Sequence, residues 1–431
     1  MVKISIFWFR RDLRLKDNHG LYEALKSDSK VLPIFIFDEN ILNQLENKSD
    51  RRVDFIVEAL QTLNSFLKTK GKAIKIYIGK PLEIYQKLIE EYEISAVYSN
   101  EDYEPYAIKR DLEIKEFLHS KNISFHQFKD QVIFEKNDIL KADKTPYTIY
   151  TPYSKQWLNA FSLNKIEQYP SELLLDNLLD LPFEEFSIEK IGFQKTDFQF
   201  VIPKANLEII KTYEETRNIP SINGTSQLGV HLRFGTISIR KLAKIAQENN
   251  LTYLKELIWR EFFMQILYHF PKVVNQSFKA KYDFIQWRND EQEFKLWCNG
   301  NTGYPIVDAG MRQLNQTGYM HNRVRMIVAS FLCKHLLIDW RWGEAYFAEK
   351  LNDYDMSANN GNWQWAAGSG CDAAPYFRIF NPEEQQKKFD PNFKYIKRWV
   401  PEFGFSNYPK PIIEHKFARE RAIYTYKKAL Q

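Results

Sequence analysis

The chain has 431 residues, 44% of them hydrophobic, 15% aromatic and 27% charged, with a formal net charge of +5. That length exceeds one ordinary core and calls for two or three domains, and so mild a charge admits a polyanionic partner only through a local patch. Three scattered cysteines, Cys298, Cys333 and Cys371, argue against a disulfide framework and suit a reducing cytoplasm.

The first stretch carries charges at Lys3, Arg10, Arg11, Asp12 and Arg14, which leave no room for the apolar region of a signal peptide. Residues 1–130 then alternate. ISIFWF, VLPIFIF, AIKIYIG, SAVYSN and ISFHQF read as strands, and VLPIFIF, the longest apolar run, is far short of a membrane span. Between them lie helical patterns such as RRVDFIVEALQTLNSFLKTKG, stopped by Gly71. Strands alternating with helices predict an α/β domain, a parallel Rossmann-like sheet covered on both faces. Neither GxGxxG nor a P-loop occurs, so the usual nucleotide signals are absent.

Residues 131–205 change character: TPYTIYTPYSKQW is rich in turn formers and SELLLDNLLDLPFEEFSIEKIGF is acidic and irregular. They read as a long connector laid over the surface. From residue 206 to 431 the period becomes helical. In MHNRVRMIVASFLCKHLLIDW, Met320, Val324, Ile327, Val328, Phe331, Leu332 and Leu336 form one apolar stripe. The second half is therefore expected to be a large all-α domain.

Five constellations there could carry chemistry. INGTSQLGVHLRFGTIS sets Gly224, Thr225, Ser226 and Gly229 before a helical pattern, where backbone N–H groups cradle phosphate; ordinary helix caps look the same. In LTYLKELIWREFFMQILYHF, Glu256, Trp259 and Arg260 share a face. This fits an exposed ion pair beside a core Trp as well as a carboxylate and an indole lining one cavity. Asn322 and Met326 are four apart, with His321, Arg323 and Arg325 nearby, which suits a flat polar ligand edge. NPEEQQKKFDPNFKYIKRW interleaves Lys387, Lys388, Lys394, Lys397 and Arg398 with aromatics, as a nucleic-acid surface does; a solvated charged face is the commoner explanation. Last, DYDMSANNGNWQWAAGSG crowds Asp353, Asp355, Asn359, Trp363 and Trp365 together. Too few acids, and no His, stand there for a metal cage, and no Cys/His cluster suggests zinc. The residues alone reach a helical domain with a polar, Trp-rich cavity for a flat, phosphate-bearing ligand.

Taken together, FWFRRDLRLKDN, YEP at Tyr103–Pro105, GTSQL, ELIWREFF, GNTGYPIVDAGMRQLNQTGYMHNRVRMIVASFL, LLIDWRWGEAYF, SANNGNWQWAAGSG, RIFNP and YPKPIIEHKFARERA resemble the photolyase/cryptochrome family, in family order over nearly the whole chain. The resemblance implies an antenna domain, a connector and a helical domain that binds FAD non-covalently. It implies FAD contacts from Tyr213, Thr225, Ser226, Gln227, Leu228 and Gly229, with a backbone N–H at Gly229 where some relatives offer a Ser hydroxyl. Arg325 would pair with Asp353 beside the flavin, Asp355 would meet the ring or ribose, and Asn359 would face flavin N5. Trp363, Trp340 and Trp287 match the tryptophan chain that conducts electrons to photo-excited flavin. Glu256 would stabilise the dimer radical by hydrogen bonding, and Asn322 would hold the base edge. Trp259, Arg260, Arg323, Met326 and Trp365 would meet the lesion and its DNA, and Lys388 a DNA phosphate.

Asn322, Met326 and Asn359 resemble enzymes that repair cyclobutane pyrimidine dimers. The (6-4) photolyases place two His in the pocket, and cryptochromes differ at the position of Asn359. The implied activity is light-driven splitting of pyrimidine dimers in UV-damaged DNA by a monomer, with a blue-light photoreceptor or (6-4) photolyase as the alternative. Folate-binding relatives carry Asn-Glu where this chain has Tyr106 and Ala107. That speaks against a methenyl-folate antenna and leaves a deazaflavin, FMN or no second chromophore.

Overall fold

A computed structural model describes residues 3–431. The chain falls into two compact units, each built from three stretches. The first runs to Asp138 and adds Asn159–Ala205 and Leu228–Ile245; the second comprises Ile139–Leu158, Asn206–Gln227 and Ala246–Gln431.

The first unit holds a five-stranded sheet: β1 (Lys3–Phe9), β2 (Lys30–Asp38), β3 (Lys75–Gly79), β4 (Glu93–Asn100) and β5 (Ser124–Phe128). Every pairing is parallel and the order is β3-β2-β1-β4-β5, with Ile6 opposite Leu32 on one side and Val97 on the other. Strand β1 explains the continuous apolar run in its sequence. Ile4, Ile6 and Trp8 pack into one core layer, and Phe7 and Phe9 into another. A strand buried on both faces has no polar side to show. The order reverses beside β1, where α/β sheets bind ligands beyond the strand ends. Here side chains crowd that crevice: the Asn100 amide donates to Asp12 and to Asn18 (2.8 Å), and its oxygen accepts from Gly20 N (2.9 Å).

The segment expected to be a turn-rich connector contains a helix, Tyr150–Leu163, and three short 3-10 turns. Pro152 stands in its first turn, where the missing N–H costs nothing. Tyr150, Tyr153, Trp157 and Phe161 are buried, so the aromatics spaced among the turn formers are the helix's packing surface.

The second unit is helical. All the residues of the expected stripe from Met320 to Leu336 are buried, but one α-helix does not carry them. The α-helix covers Asn322–Ser330, and Phe331–His335 widens into a π-turn. The side-chain pattern survives because both helix types keep roughly the same face inward for one turn. Around this stripe lies a core that includes Trp297, Trp340 and Trp363. Two glycines let helices approach it closely. A Cβ at Gly361 would lie 2.2 Å from the Phe263 ring and one at Gly343 2.1 Å from that of Trp363.

Candidate functional site

Three helices of the second unit supply most of the site. Leu251–His269 starts at Asn250, whose side chain accepts from Tyr253 N. It presents Glu256, Trp259, Arg260 and Phe263 at i, i+3, i+4 and i+7, a single face. Asn322–Ser330 is capped by His321, whose Nδ1 accepts from Arg323 N at 3.2 Å. Burial, with the guanidiniums of Arg325 and Arg323, pushes that imidazole down to about 4, so it stays neutral and able to accept. Asn322, Arg323, Arg325 and Met326 follow from the same two turns. Met356–Ala367 is capped by Asp355, whose Oδ1 accepts from Ser357 N (3.1 Å), Ala358 N (3.3 Å) and the Ser357 hydroxyl.

These faces enclose a cavity of about 410 Å³, closed by Tyr213, Arg217, Asn218, Thr225, Asp353 and Tyr354. Its walls are flat. Trp259 stacks on Tyr150 (centroids 3.5 Å apart, planes within 6°) and lies 5.4 Å from the Phe263 ring, tilted by 30°; the Tyr150 hydroxyl donates to Lys255 O at 2.8 Å. Trp363 and Trp365, two apart on one helix, point apart. Trp363 is buried beside Trp297 (6.1 Å) and Phe347 (5.0 Å), whereas Trp365 is half-buried, and both line the cavity.

Two ion pairs stand in the cavity. Arg325 donates to Met320 O (2.8 Å) and to both oxygens of Asp353 (2.9 and 3.1 Å). Arg217 forms an ion pair with Glu256. Burial pushes the Glu256 carboxyl up, and Arg217 followed by Arg323 pulls it back. Arg323 donates to Asn218 Oδ1 (2.8 Å) and lies 4.5 Å from the Phe389 ring. The Asn359 amide donates to Glu344 Oε1 (2.8 Å) and Glu344 O (3.1 Å); burial raises the Glu344 carboxyl. Among the described residues, no group of three or more His, Cys, Asp and Glu could hold a metal ion.

The candidates separate by place. Tyr213, Thr225, Glu256, Trp259, Arg260, Asn322, Arg323, Arg325, Met326, Asp353, Asp355, Asn359, Trp363 and Trp365 meet at the cavity. Trp340 and Trp287 stand behind it in the same core as Trp363, Trp340 buried and Trp287 at the margin. Ser226 is turned to the Tyr253 hydroxyl (2.8 Å). Gln227 takes a left-handed backbone conformation, φ 51°. Leu228 and Gly229 lie in the first unit, where Gly229 opens a five-residue helix. Lys388 is exposed on the helix Pro382–Phe389. Sequence reading missed Arg217, Asn218, Phe263, Tyr150 and Glu344. Arg217 and Phe263 each stand four residues beyond a named candidate, Tyr213 and Trp259, and that spacing was the available signal. Tyr150 and Glu344 reach the site through tertiary contact and leave no local trace.

Flat aromatic walls, the Thr225 hydroxyl and the Arg325–Asp353 pair suit an isoalloxazine and its phosphates. Residues 253–406 match the FAD binding domain of DNA photolyase, and residues 5–172 match DNA photolyase. The chain is 34% identical to the deoxyribodipyrimidine photo-lyase of Halobacterium salinarum, covering 99% of each chain. A bacterial class III photolyase from Agrobacterium tumefaciens superposes with a TM-score of 0.87 at 33% identity, covering 100% of this chain and 98% of that one. An archaeal photolyase from Sulfolobus tokodaii holding two FAD molecules gives 0.82 at 33% identity, over 99% and 100%. The chain belongs to the DNA photolyase family, and its helical unit carries that family's FAD-binding domain.

Proposed function

We propose that this protein is a deoxyribodipyrimidine photo-lyase that splits cyclobutane pyrimidine dimers in UV-damaged DNA under light. One observation carries the reading: Glu256 and Trp259 from one helix, Asn322 and Met326 from a second, and Asn359 and Trp365 from a third meet in a single cavity. Reduced FAD, when bound, would supply light-driven one-electron chemistry for the splitting of the dimer.

The protein's own groups do the rest. Arg325 with Asp353, Asp355 and Asn359 would hold the flavin, and Tyr213 and Thr225 would hold its phosphates. Trp259 and Trp365 present aromatic faces on which the extruded bases stack; extrusion from the duplex is general for enzymes that work on a base, photolyases among them. Glu256 and Asn322 hydrogen-bond the base edge and stabilise the charge that develops on it. The apolar walls Phe263 and Met326 exclude water, which strengthens each of these interactions. Trp363, Trp340 and Trp287, which share one core, would supply the path by which electrons reach the cofactor. Arg260, Arg323 and Lys388 meet the strand's phosphates. The first 130 residues form the antenna-type domain of this assembly.

The test is an oligonucleotide with one thymine dimer, mixed with pre-reduced protein and followed with and without blue light. Light-dependent restoration of the two thymines is expected. Photoreduction of FAD without restoration would instead mark a photoreceptor and refute the repair reading.

A further inference from the structure

The helix Tyr150–Leu163 begins without a side-chain cap of its own. Ile149 stands before it, more than half exposed, and its carbonyl accepts from Tyr153 N (3.4 Å), but its side chain can accept nothing. Helices commonly take that acceptor from Ser, Thr, Asp or Asn at this place. Here it comes from 222 residues along the chain: Oδ2 of Asp372 accepts from Tyr150 N at 3.0 Å. A carboxylate there also meets the positive end of the helix.

Tyr150 is the residue that this contact holds, and its ring is engaged elsewhere. It lies flat on Trp259, centroids 3.5 Å apart, and its hydroxyl donates to Lys255 O on the helix that carries Trp259. Asp372 in turn stands seven residues after Trp365, beyond the helix end at Ala367. One segment therefore bears one indole of the cavity and, a short way on, the carboxylate that seats the neighbour of the other indole.

Resting on the function proposed above, we infer that Asp372 is a positioning residue for lesion binding. By capping the connector helix it fixes Tyr150, and through Tyr150 the plane of Trp259. The two indoles that stack on the extruded bases, Trp259 and Trp365, are thereby held in register by one segment. Asp372 does not line the cavity and acts only through the ring it holds. A stacking face that is free to tilt must be ordered each time a ligand binds, and that ordering is lost affinity. The hydrogen bond at Tyr150 N removes the freedom beforehand. No covalent step is involved.

The experiment compares wild-type, Asp372→Asn, Asp372→Ser and Asp372→Ala holoenzymes, with FAD content checked by absorbance. Affinity for a duplex with one thymine dimer, and for the same duplex undamaged, is measured in the dark at fixed salt. The repair yield per bound dimer is then followed under light. Asp372→Ala should weaken binding of the dimer about fivefold, the equivalent of about 1 kcal/mol, the usual worth of a helix cap. Undamaged DNA, repair yield per bound dimer and photoreduction of FAD should not change. Asp372→Ser, whose hydroxyl stops short of the Tyr150 amide, should do the same with a polar side chain kept in place, and decides the matter if the alanine variant does not fold. Asp372→Asn keeps an acceptor and should behave as wild type. In a Trp259→Ala background the loss from Asp372→Ala should vanish, because the two act through one ring. Ile149→Asp supplies a cap from within the chain and should return the lost affinity to Asp372→Ala. A lower denaturant midpoint with unchanged dimer affinity would make Asp372 a purely structural cap and overturn the inference. So would equal weakening toward damaged and undamaged DNA, a loss that persists without Trp259, or one that Ile149→Asp leaves untouched. A wild type that binds the dimer but never repairs it would sink the proposed function alone, since the binding comparison is made without light.

Discussion

Trp363 and Trp365 show how two like side chains, two positions apart, come to serve different ends. Trp363 is packed against Trp297, Phe347 and the bare backbone at Gly343, and its indole joins the core that holds Trp340 and Trp287. Trp365 remains half-open to the cavity. Trp363→Phe should slow photoreduction of the oxidised flavin strongly and leave repair by pre-reduced enzyme nearly intact; transient absorption and single-turnover repair read the two separately. Equal loss of both would mean that the indole is chiefly structural. Trp365→Ala should do the reverse, weakening lesion binding by about 1–3 kcal/mol, the usual worth of one stacked base, with photoreduction unchanged. Tyr150 belongs to the same logic one layer back, since its ring fixes the plane of Trp259. Tyr150→Phe keeps the stack and loses only the hydrogen bond to Lys255 O, a change of about 1 kcal/mol. Tyr150→Ala frees the indole and should raise KM for lesion DNA more than it lowers the repair yield.

Helices are the scale at which the site acquires its shape. The helices bearing Glu256 and Trp363 meet where Gly361 faces Phe263, with no room for a methyl group. On an isolated helix Gly→Ala would stabilise by up to about 1 kcal/mol. Gly361→Ala should instead destabilise by about 1–3 kcal/mol, as overpacked cores do, seen as a lower denaturant midpoint. The π-turn sets a second feature. It carries Lys334 inward, where the ammonium donates to Ala367 O (2.8 Å) and Tyr376 O (3.3 Å) and lies 3.7 Å from the Tyr426 ring. That ties down the C-terminal end of the helix bearing both tryptophans, where carbonyls attract a cation. Burial pushes the amine down to about 7, well below its unfolded value. Between those values the unfolded chain binds more protons, so stability should rise with pH. The window is about pH 7 to 8.5, and the gain about 1–2 kcal/mol. Above it, thiols such as Cys333, which burial holds protonated in the fold, ionise on unfolding and oppose the trend. Lys334→Met should flatten the rise in urea titrations across this range. A flat wild-type curve would mean that the ammonium stays charged at neutral pH. The apolar stripe of this segment was legible from spacing alone, because burial follows the period of the side chains. The π-turn was not, because a single inserted residue in the backbone ladder barely disturbs that period.

Over the whole molecule, the same distinction separates what local pattern reveals from what only packing creates. Five strand-like runs alternating with helical periods were enough for a parallel sheet; the two most apolar of them, in β1 and β2, are the strands buried on both faces. Helical spacing likewise put Glu256 with Trp259 and Asn322 with Met326. The ion pair from Arg217, the stack from Tyr150 and the Glu344 partner of Asn359 join residues at least 15 positions apart, which no periodicity encodes. Net charge is the coarsest such quantity: +5 over 431 residues gives little general attraction to DNA, so affinity must come from the few cations near the cavity. The dependence of binding on salt measures that number directly, each neutralised phosphate contributing about 0.9 to the slope on duplex DNA. Arg260, Arg323 and Lys388 together predict a slope near −3 for log K against log salt. Lys388→Ala should bring it about one unit closer to zero on damaged and undamaged duplex alike, because a phosphate contact reads no lesion. Trp365→Ala should lower affinity for damaged DNA at every salt concentration and leave the slope unchanged. Fluorescence anisotropy between 50 and 300 mM salt separates the two. If Lys388→Ala left the slope intact, its exposed position on the helix Pro382–Phe389 would be a solvated face and the phosphate contacts would lie elsewhere.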